Sequence, residues 1–542
     1  MKVLKYSTIV FALLLCINLY AAGSNNNDLL RKKYDSAEVF LNSKNYSQAL
    51  IKYLQIDAEL KNNFNIKYKI GVCYLDVSAE KAIPYFEQAS NNITKKYLGT
   101  FEDKYPPYEL FKLLGQAYHF NYKFTEAAEA YESYRSYLNA SSDIASVKET
   151  SRQIEICKNA KELSDVPVSV KIENMGANVN SAYADYSPLL SADETTLIFT
   201  STRDNTTGRK IDPKTGKYYE DIYSTTKSEN GWSAPSALGS PINTDGNEAA
   251  ASLSIDGEKL IIYKDENGDG NLYTTHLQGN TWGYPQKLND FINSKADETN
   301  ASLSADGSAL YFSSNREGGY GGKDIYKSKK LPNGEWGRPV NLGSTVNTVY
   351  DEDTPYIHPD GITLFFSSKG HKNMGGYDIF FTMHLSDTSG WMGPMNMGYP
   401  INTPVDDLFF VPTVGNKRAY YSSVKKDGFG DRDLYVINFI DQRETPLTVY
   451  KGIITSPDGT VPEGAGITVS NTETNDIIGE YSPNASTGKY LFILTPGSTY
   501  IISYTIDGDE KKTETIAVSN ESAYSLTNRA IELKPVILLN KK

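Results

Sequence analysis

The sequence predicts a multidomain chain, α-helical first and all-β afterwards, in which helical repeats precede a five-bladed β-propeller and a β-sandwich. Three observations carry this. Between Leu29 and Leu163 the apolar residues fall at helical spacing and recur with a step of 34 residues from Ala37 to Gly71. After Pro167 the texture changes to short alternating runs bounded by Gly, Pro, Asn and Asp, the pattern of strands and turns. All four tryptophans fall in that region, each followed three residues later by proline, and the steps from Trp232 through Trp282 and Trp336 to Trp391 are 50, 54 and 55.

At 542 residues the chain is too long for one core. The expected divisions are a leader over 1–23, a helical domain over 24–165, the ring over 166–440 and the sandwich over 447–542. The leader reads as Lys2 and Lys5, an apolar run from Thr8 to Ile17, then Ala21-Ala22-Gly23, the three zones of a secretory signal. Asn18 ends the apolar run well short of the ~20 residues a membrane span needs. Cys16 raises lipidation as an alternative, but the bulky Leu15 stands where such signals carry a small residue. No later segment is apolar enough to span a membrane. A net charge of −12 excludes nucleic acid as partner, since backbone binding needs clustered Lys and Arg. Cys73 and Cys157, both in predicted helices, are read as buried thiols acting as small hydrophobes, with pairing as the alternative.

The helical region repeats a single pattern: Ala37, Phe40, Ala49 and Tyr53; then Gly71, Tyr74, Ala82 and Phe86; then Leu114-Gly115, Tyr118, Ala127 and Tyr131. Small residues let paired helices approach and aromatics fill the space between pairs. Lys95 to Pro107 is an insertion between the second and third copies, and a closing helix follows around Ile144 to Leu163. These residues resemble three tetratricopeptide repeats, which implies a concave groove for a peptide or partner helix. A rigid spacer is the alternative, and partner binding is preferred.

The β region contains five copies of the same unit. Asp256-Gly257, Asp306-Gly307 and Asp360-Gly361 supply the positive φ of a tight hairpin, with Asp193-Glu194 and Gly415-Asn416 in the equivalent places. Buried strands follow, such as Leu310-Tyr311-Phe312, then a third strand beginning Asp221-Ile222-Tyr223 in one copy and Asp324-Ile325-Tyr326 in another. The Trp-Pro segment supplies the outer edge of a four-stranded blade. Asn174 to Tyr183 aligns without a gap to Asn341 to Tyr350 at an offset of 167, so the stretch before the first blade is a spare edge strand. Residues near Val168 to Ile172 are expected to complete the fifth blade and close the ring. The repeats resemble the periplasmic PD40-type, WD40-like propeller repeats, as in the TolB propeller.

Candidate chemistry is sparse. Arg203 and Arg316 follow equivalent Ser/Thr-rich strand ends and Lys369 and His371 lie near the matching place in the fourth blade. They are the candidate binding residues at a mouth of the ring, for an acidic ligand, with solvated loop charge as the blander reading. Asp265, Asn267 and Asp269, followed by Gly270, copy the first half of a calcium loop, but the twelfth position is His276 in place of a bidentate carboxylate. A hairpin turn is preferred there. The histidines show no metal spacing, and no nucleophile elbow or phosphate loop occurs. The expectation is therefore a chain with no enzyme activity, no cofactor and no metal.

Gly452-Ile453-Ile454, Ile467-Thr468-Val469, Gly488-Lys489-Tyr490 and Pro496-Gly497 with Tyr500 resemble the carboxypeptidase regulatory-like domain, a transthyretin-type β-sandwich. The order of the three modules resembles the PorE-type envelope component of the type IX secretion system. In that family an OmpA-like peptidoglycan-binding domain follows; here Lys542 is the last residue, so the family's wall-binding residues have no positions to map onto. The resemblance implies a periplasmic scaffold or assembly factor, peripheral to the outer membrane, that binds envelope or secretion-complex proteins. The alternative is a propeller enzyme or binding protein acting on glycans or peptides.

Overall fold

The computed structural model describes residues 27–213, 215–266, 268–386, 388–519 and 525–533. The expected leader over 1–23, with Cys16, and Asn267 of the calcium-loop pattern lie outside them. The chain forms two compact units, one ending at Glu162 and one beginning at Leu163.

The first unit is helical: 27–42, Tyr46–Glu59, Phe64–Val77, Ala79–Ser90, Leu110–Phe120, Phe124–Tyr137 and Ile144–Asp165. Asn45 and Asn63 cap the second and third helices, each side-chain carbonyl accepting a backbone N–H three residues on, from Gln48 at 3.2 Å and Ile66 at 3.1 Å. Consecutive helices pack through small residues. A Cβ on Gly71 would lie 2.6 Å from the Phe86 ring, and one on Gly115 3.0 Å from Tyr131, so each glycine is the recess that an aromatic fills. The segment between Ser90 and Leu110 is held by Tyr97, whose hydroxyl donates to Asn65 Oδ1 at 3.0 Å, and by a bridge between Thr94 and Pro107. Cys73 and Cys157 are free and buried, and burial pushes both thiols up to about 12.

The second unit begins with five antiparallel sheets. Their innermost strands are Asp185–Leu190, Glu248–Leu253, Glu298–Leu303, Glu352–Ile357 and Leu408–Pro412. Each of these packs against the next, and the first packs against both the second and the last, so the series closes on itself. The turn after each innermost strand contains a left-handed residue: Glu194, Gly257, Gly307, Gly361 and Asn416, with φ of 56, 78, 69, 75 and 57°. The second strands, such as Thr363–Ser368, are buried nearly throughout because sheets cover them on both faces. Gly231–Trp232 and Gly390–Trp391 lie at outer edges, as the Trp-Pro pattern requires. The fifth sheet takes its outer strand from the start of the unit: Val170–Asn174 runs antiparallel to Asp433–Phe439, with Ile172 opposite Ile437.

A polar clasp joins each sheet to the one before it. Asn180, Asn243, Asn293, Asn347 and Asn402 each bond the backbone N–H and C=O of one residue in the preceding third strand, respectively Leu434, Ile222, Leu272, Ile325 and Ile379. The next residue, Ser or Thr, donates its N–H and hydroxyl to the acid four positions on: Asp185, Glu248, Glu298, Glu352 or Asp407. Buried carboxylates are thereby kept hydrogen-bonded, the condition for burying them at all.

Beyond the ring, two sheets face each other. One has Lys489–Leu494, Thr448–Thr455 and Ser525–Glu532, and the other has Ile477–Tyr481, Ala465–Asn471, Thr499–Ile506 and Asp509–Ala517. Their core includes Tyr450, Phe492, Ile502 and Tyr504. This sandwich is seated on the turn end of the ring: Leu447, Val449, Leu491 and Ile493 pack on Ala192 and Val414, and Lys451 Nζ pairs with Asp193 at 2.9 Å.

Candidate functional site

Of the cations picked out from the sequence, Arg203 and Arg316 pair with clasp acids. Arg203 lies over the rings of Phe199 and Tyr223 and pairs with the buried Asp185 at 2.9 Å, and its guanidinium also donates to Val179 O. Arg316 repeats the arrangement over Phe312 and Tyr326, with Glu298 at 3.0 Å and Ile292 O at 2.6 Å. His371 takes the matching place in the fourth sheet, its Nε2 2.8 Å from Val346 O between Phe366 and Phe380. Lys369 pairs with Asp351 at 2.9 Å over the ring of Tyr377. Asp265 Oδ1 accepts the N–H of Gly268 at 2.5 Å and Glu266 N–H donates to Asp269 O, the bonding of a turn. Among the described residues no group of three His, Cys, Asp or Glu stands close enough to hold a metal ion. No described helix is long and apolar enough to cross a membrane.

A cavity of about 290 Å³ opens where the innermost strands begin, at the end of the ring away from the sandwich. Tyr186, Glu220, Tyr263, Asp265, Asn300 and Phe409 line it. The innermost strands break register there, and Ser187, Thr354 and Phe409 adopt left-handed φ of 53, 47 and 59° at three of the breaks. Bulges of this kind re-aim side chains and concentrate at functional sites. Phe409 is thereby set against Tyr186, ring centroids 5.6 Å apart, as an aromatic wall. The axis below narrows to about 30 Å³ among apolar and hydroxyl-bearing side chains such as Leu189, Ser252, Ala301 and Tyr356.

Two carboxyls, Glu220 and Asp265, line the mouth, and the charge of Arg432 reaches Tyr186 in its wall. Burial pushes the Glu220 carboxyl up, with Asp212 and Asp265 adding to the rise, while its hydrogen bond from the Tyr186 hydroxyl opposes it. Burial would raise Asp353 too, but the Lys323 ammonium at 2.8 Å and the Ser313 hydroxyl hold it below the usual carboxylate range. Among the described residues neither Glu220 nor Asp265 has a Lys or Arg within ion-pair distance. Sequence reading passed over Glu220 although it carries a signal. The position just before the third strand is Glu220, Gly270, Lys323, Tyr377 and Arg432 in the five copies, a variable place in an otherwise repeating unit.

No family model matches the chain, and no curated protein does. Solved structures do. TolB from Acinetobacter baumannii is 18% identical over 48% of this chain and 56% of its own, with a TM-score of 0.28. A puromycin-hydrolysing peptidase from Mycobacterium tuberculosis is 16% identical over 44% and 34%, with a TM-score of 0.25. An α-L-arabinofuranosidase from Lactobacillus brevis is 16% identical over 49% and 94%, with a TM-score of 0.33. The expectation of a chain without enzyme activity is corrected by these neighbours: two of the three are hydrolases, and a shared architecture leaves function to the site. The chain is a helical unit followed by antiparallel sheets whose innermost strands form a closed series.

Proposed function

We propose that this is an exported cell-envelope protein whose ring mouth binds a peptide segment through a basic side chain. The observation that carries the reading is the pair Glu220 and Asp265, two carboxylates in an aromatic cavity with no lysine or arginine of the described chain against them. An ammonium or guanidinium entering beside Tyr186, Tyr263 and Phe409 meets both opposite charge and π faces. The five sheets are read as the blades of a five-bladed propeller and the helix pairs as tetratricopeptide repeats offering a second peptide-binding surface. The leader and the module order favour the periplasm and a place in the type IX secretion machinery.

Fluorescence anisotropy with acetylated, amidated hexapeptides bearing one Lys or Arg tests the mouth. Binding that is lost with norleucine in place of the basic residue, and lost in Glu220→Gln, is expected. Equal binding of the norleucine peptide overturns the reading.

A second reading rests on Glu220 and Asp265 lining one cavity, the Glu220 carboxyl raised by burial. Two carboxyl groups in one cavity, one of them raised, are what glycoside hydrolysis uses. Turnover of aryl glycosides that disappears in Glu220→Gln favours it; no turnover across a panel of aryl glycosides removes it.

A further inference from the structure

We propose that the cleft between the sandwich and the second and third sheets is a binding site for an oxyanion-bearing small molecule, held by Lys259, His276 and Lys330. The cleft is separate from the ring mouth and its argument does not rest on what the mouth binds. Its volume is about 320 Å³, and Tyr481 and Asn484 of the sandwich form the wall facing the ring.

Three bases meet in it. Lys259 and His276 are direct cross-strand partners in the second sheet, so their side chains leave the same face side by side. Lys330 comes from the end of the third sheet, where it bridges Trp336. Lys259 Nζ lies 5.9 Å from the centroid of the buried Trp336 ring, and Leu277 and Leu303 supply apolar lining to the cleft. Elsewhere in the ring cations stand against acids: Arg203 with Asp185, Lys264 with Glu248, Arg316 with Glu298 and Lys323 with Asp353. Among the described residues no carboxylate lies within ion-pair distance of Lys259, His276 or Lys330.

The acids of the cleft are engaged in other ways. Asp256 accepts the hydroxyl of Ser254 and the N–H of Glu258 at 3.0 Å. Asp306 accepts the hydroxyls of Ser304 at 2.5 Å and Ser308 at 2.6 Å. Glu258 is pushed up to about 7 by burial, against the opposing hydrogen bond to Asn484 and the charge of Lys489, and Glu480 stands exposed at the rim.

Like charges crowded into a partly desolvated cleft repel, and the cost shows on both neighbours. Burial and then Lys330 bring Lys259 down to about 8. Burial, Lys259 and Lys330 lower His276, with Asp256 opposing. An anion among the three bases offsets their mutual repulsion and favours the charged form of each. The oxygens of a phosphate or a carboxylate meet the same donors, and the chemistry is shared between them.

The test is an NMR titration of the His276 ring in the full chain, assigned with His276→Gln, at constant ionic strength. Inorganic phosphate and acetate serve as the two probes against a chloride reference. The expected result is a rise in the His276 pKa of about one unit at saturation with the preferred probe. Phosphate alone acting marks a phosphoryl site, and acetate alone a carboxylate site. The rise should be absent in Lys330→Met, an exposed position where the substitution leaves the fold intact. No shift with either probe overturns the proposal, as does a shift that survives in Lys330→Met.

Discussion

Asn180 holds Leu434 with both ends of its carboxamide: Nδ2 donates to Leu434 O at 2.9 Å and Oδ1 accepts from Leu434 N at 2.9 Å. The same pair of bonds links Asn243 to Ile222 within 21 residues, whereas Asn180 spans 254 and closes the ring. One contact type thus serves as a local stitch four times and as the seam once.

Asn180→Leu should therefore open the seam, where its siblings loosen a local stitch. It leaves a buried N–H and C=O unpaired, about 2–4 kcal/mol for the two groups. Urea unfolding should show that loss for Asn180→Leu and Asn243→Leu alike. Limited proteolysis should release the outer strand Val170–Asn174 in the first variant only.

The clasp acids set a pH dependence. Burial raises Glu352 to about 7 and Asp407 to about 6 from 4.5 and 3.8. A raised acid holds its proton more tightly folded than unfolded, so its contribution is full below the unfolded value and is lost as pH rises through 6 to 7. The lowered Asp353 and Asp360 act oppositely, contributing above 3.8 and losing that as pH falls. From these groups Tm should peak near about pH 4 to 5 and fall until about pH 7, and Glu352→Gln should flatten that fall. Thermal melts across that range check both.

At the mouth, Glu220→Gln should weaken a lysyl peptide by about 10- to 100-fold, the worth of one charge-assisted contact. Because Glu220 is raised when free, peptide binding should release a proton and strengthen as pH rises through its titration. Calorimetry in buffers of different ionisation enthalpy reads that proton.

In the helical unit, Gly71→Ala places a methyl 2.6 Å from the fully buried Phe86 ring. Overpacking of about 1–3 kcal/mol should exceed the ~1 kcal/mol that alanine gains in a helix. Gly115→Ala, at 3.0 Å from Tyr131, should cost less. Loss of helical ellipticity on heating ranks the two.

The sequence by itself determined what repeats. The turn positions from Glu194 to Asn416, the Trp edges and the offset of 167 that marks Val170–Asn174 as a spare strand are all legible, because local backbone demands recur with the period. Only the tertiary structure decided how charge is used. Arg203 and Arg316 look like free loop cations until Asp185 and Glu298, 18 residues away, are seen to take them. Glu220 becomes a site only when Tyr186, Asp265 and Phe409 are gathered around it from three sheets, and Lys259 only when the sandwich covers it. Periodicity records what each copy does alike, whereas pairing and burial depend on neighbours brought together by ring closure and docking, which leave no periodic trace.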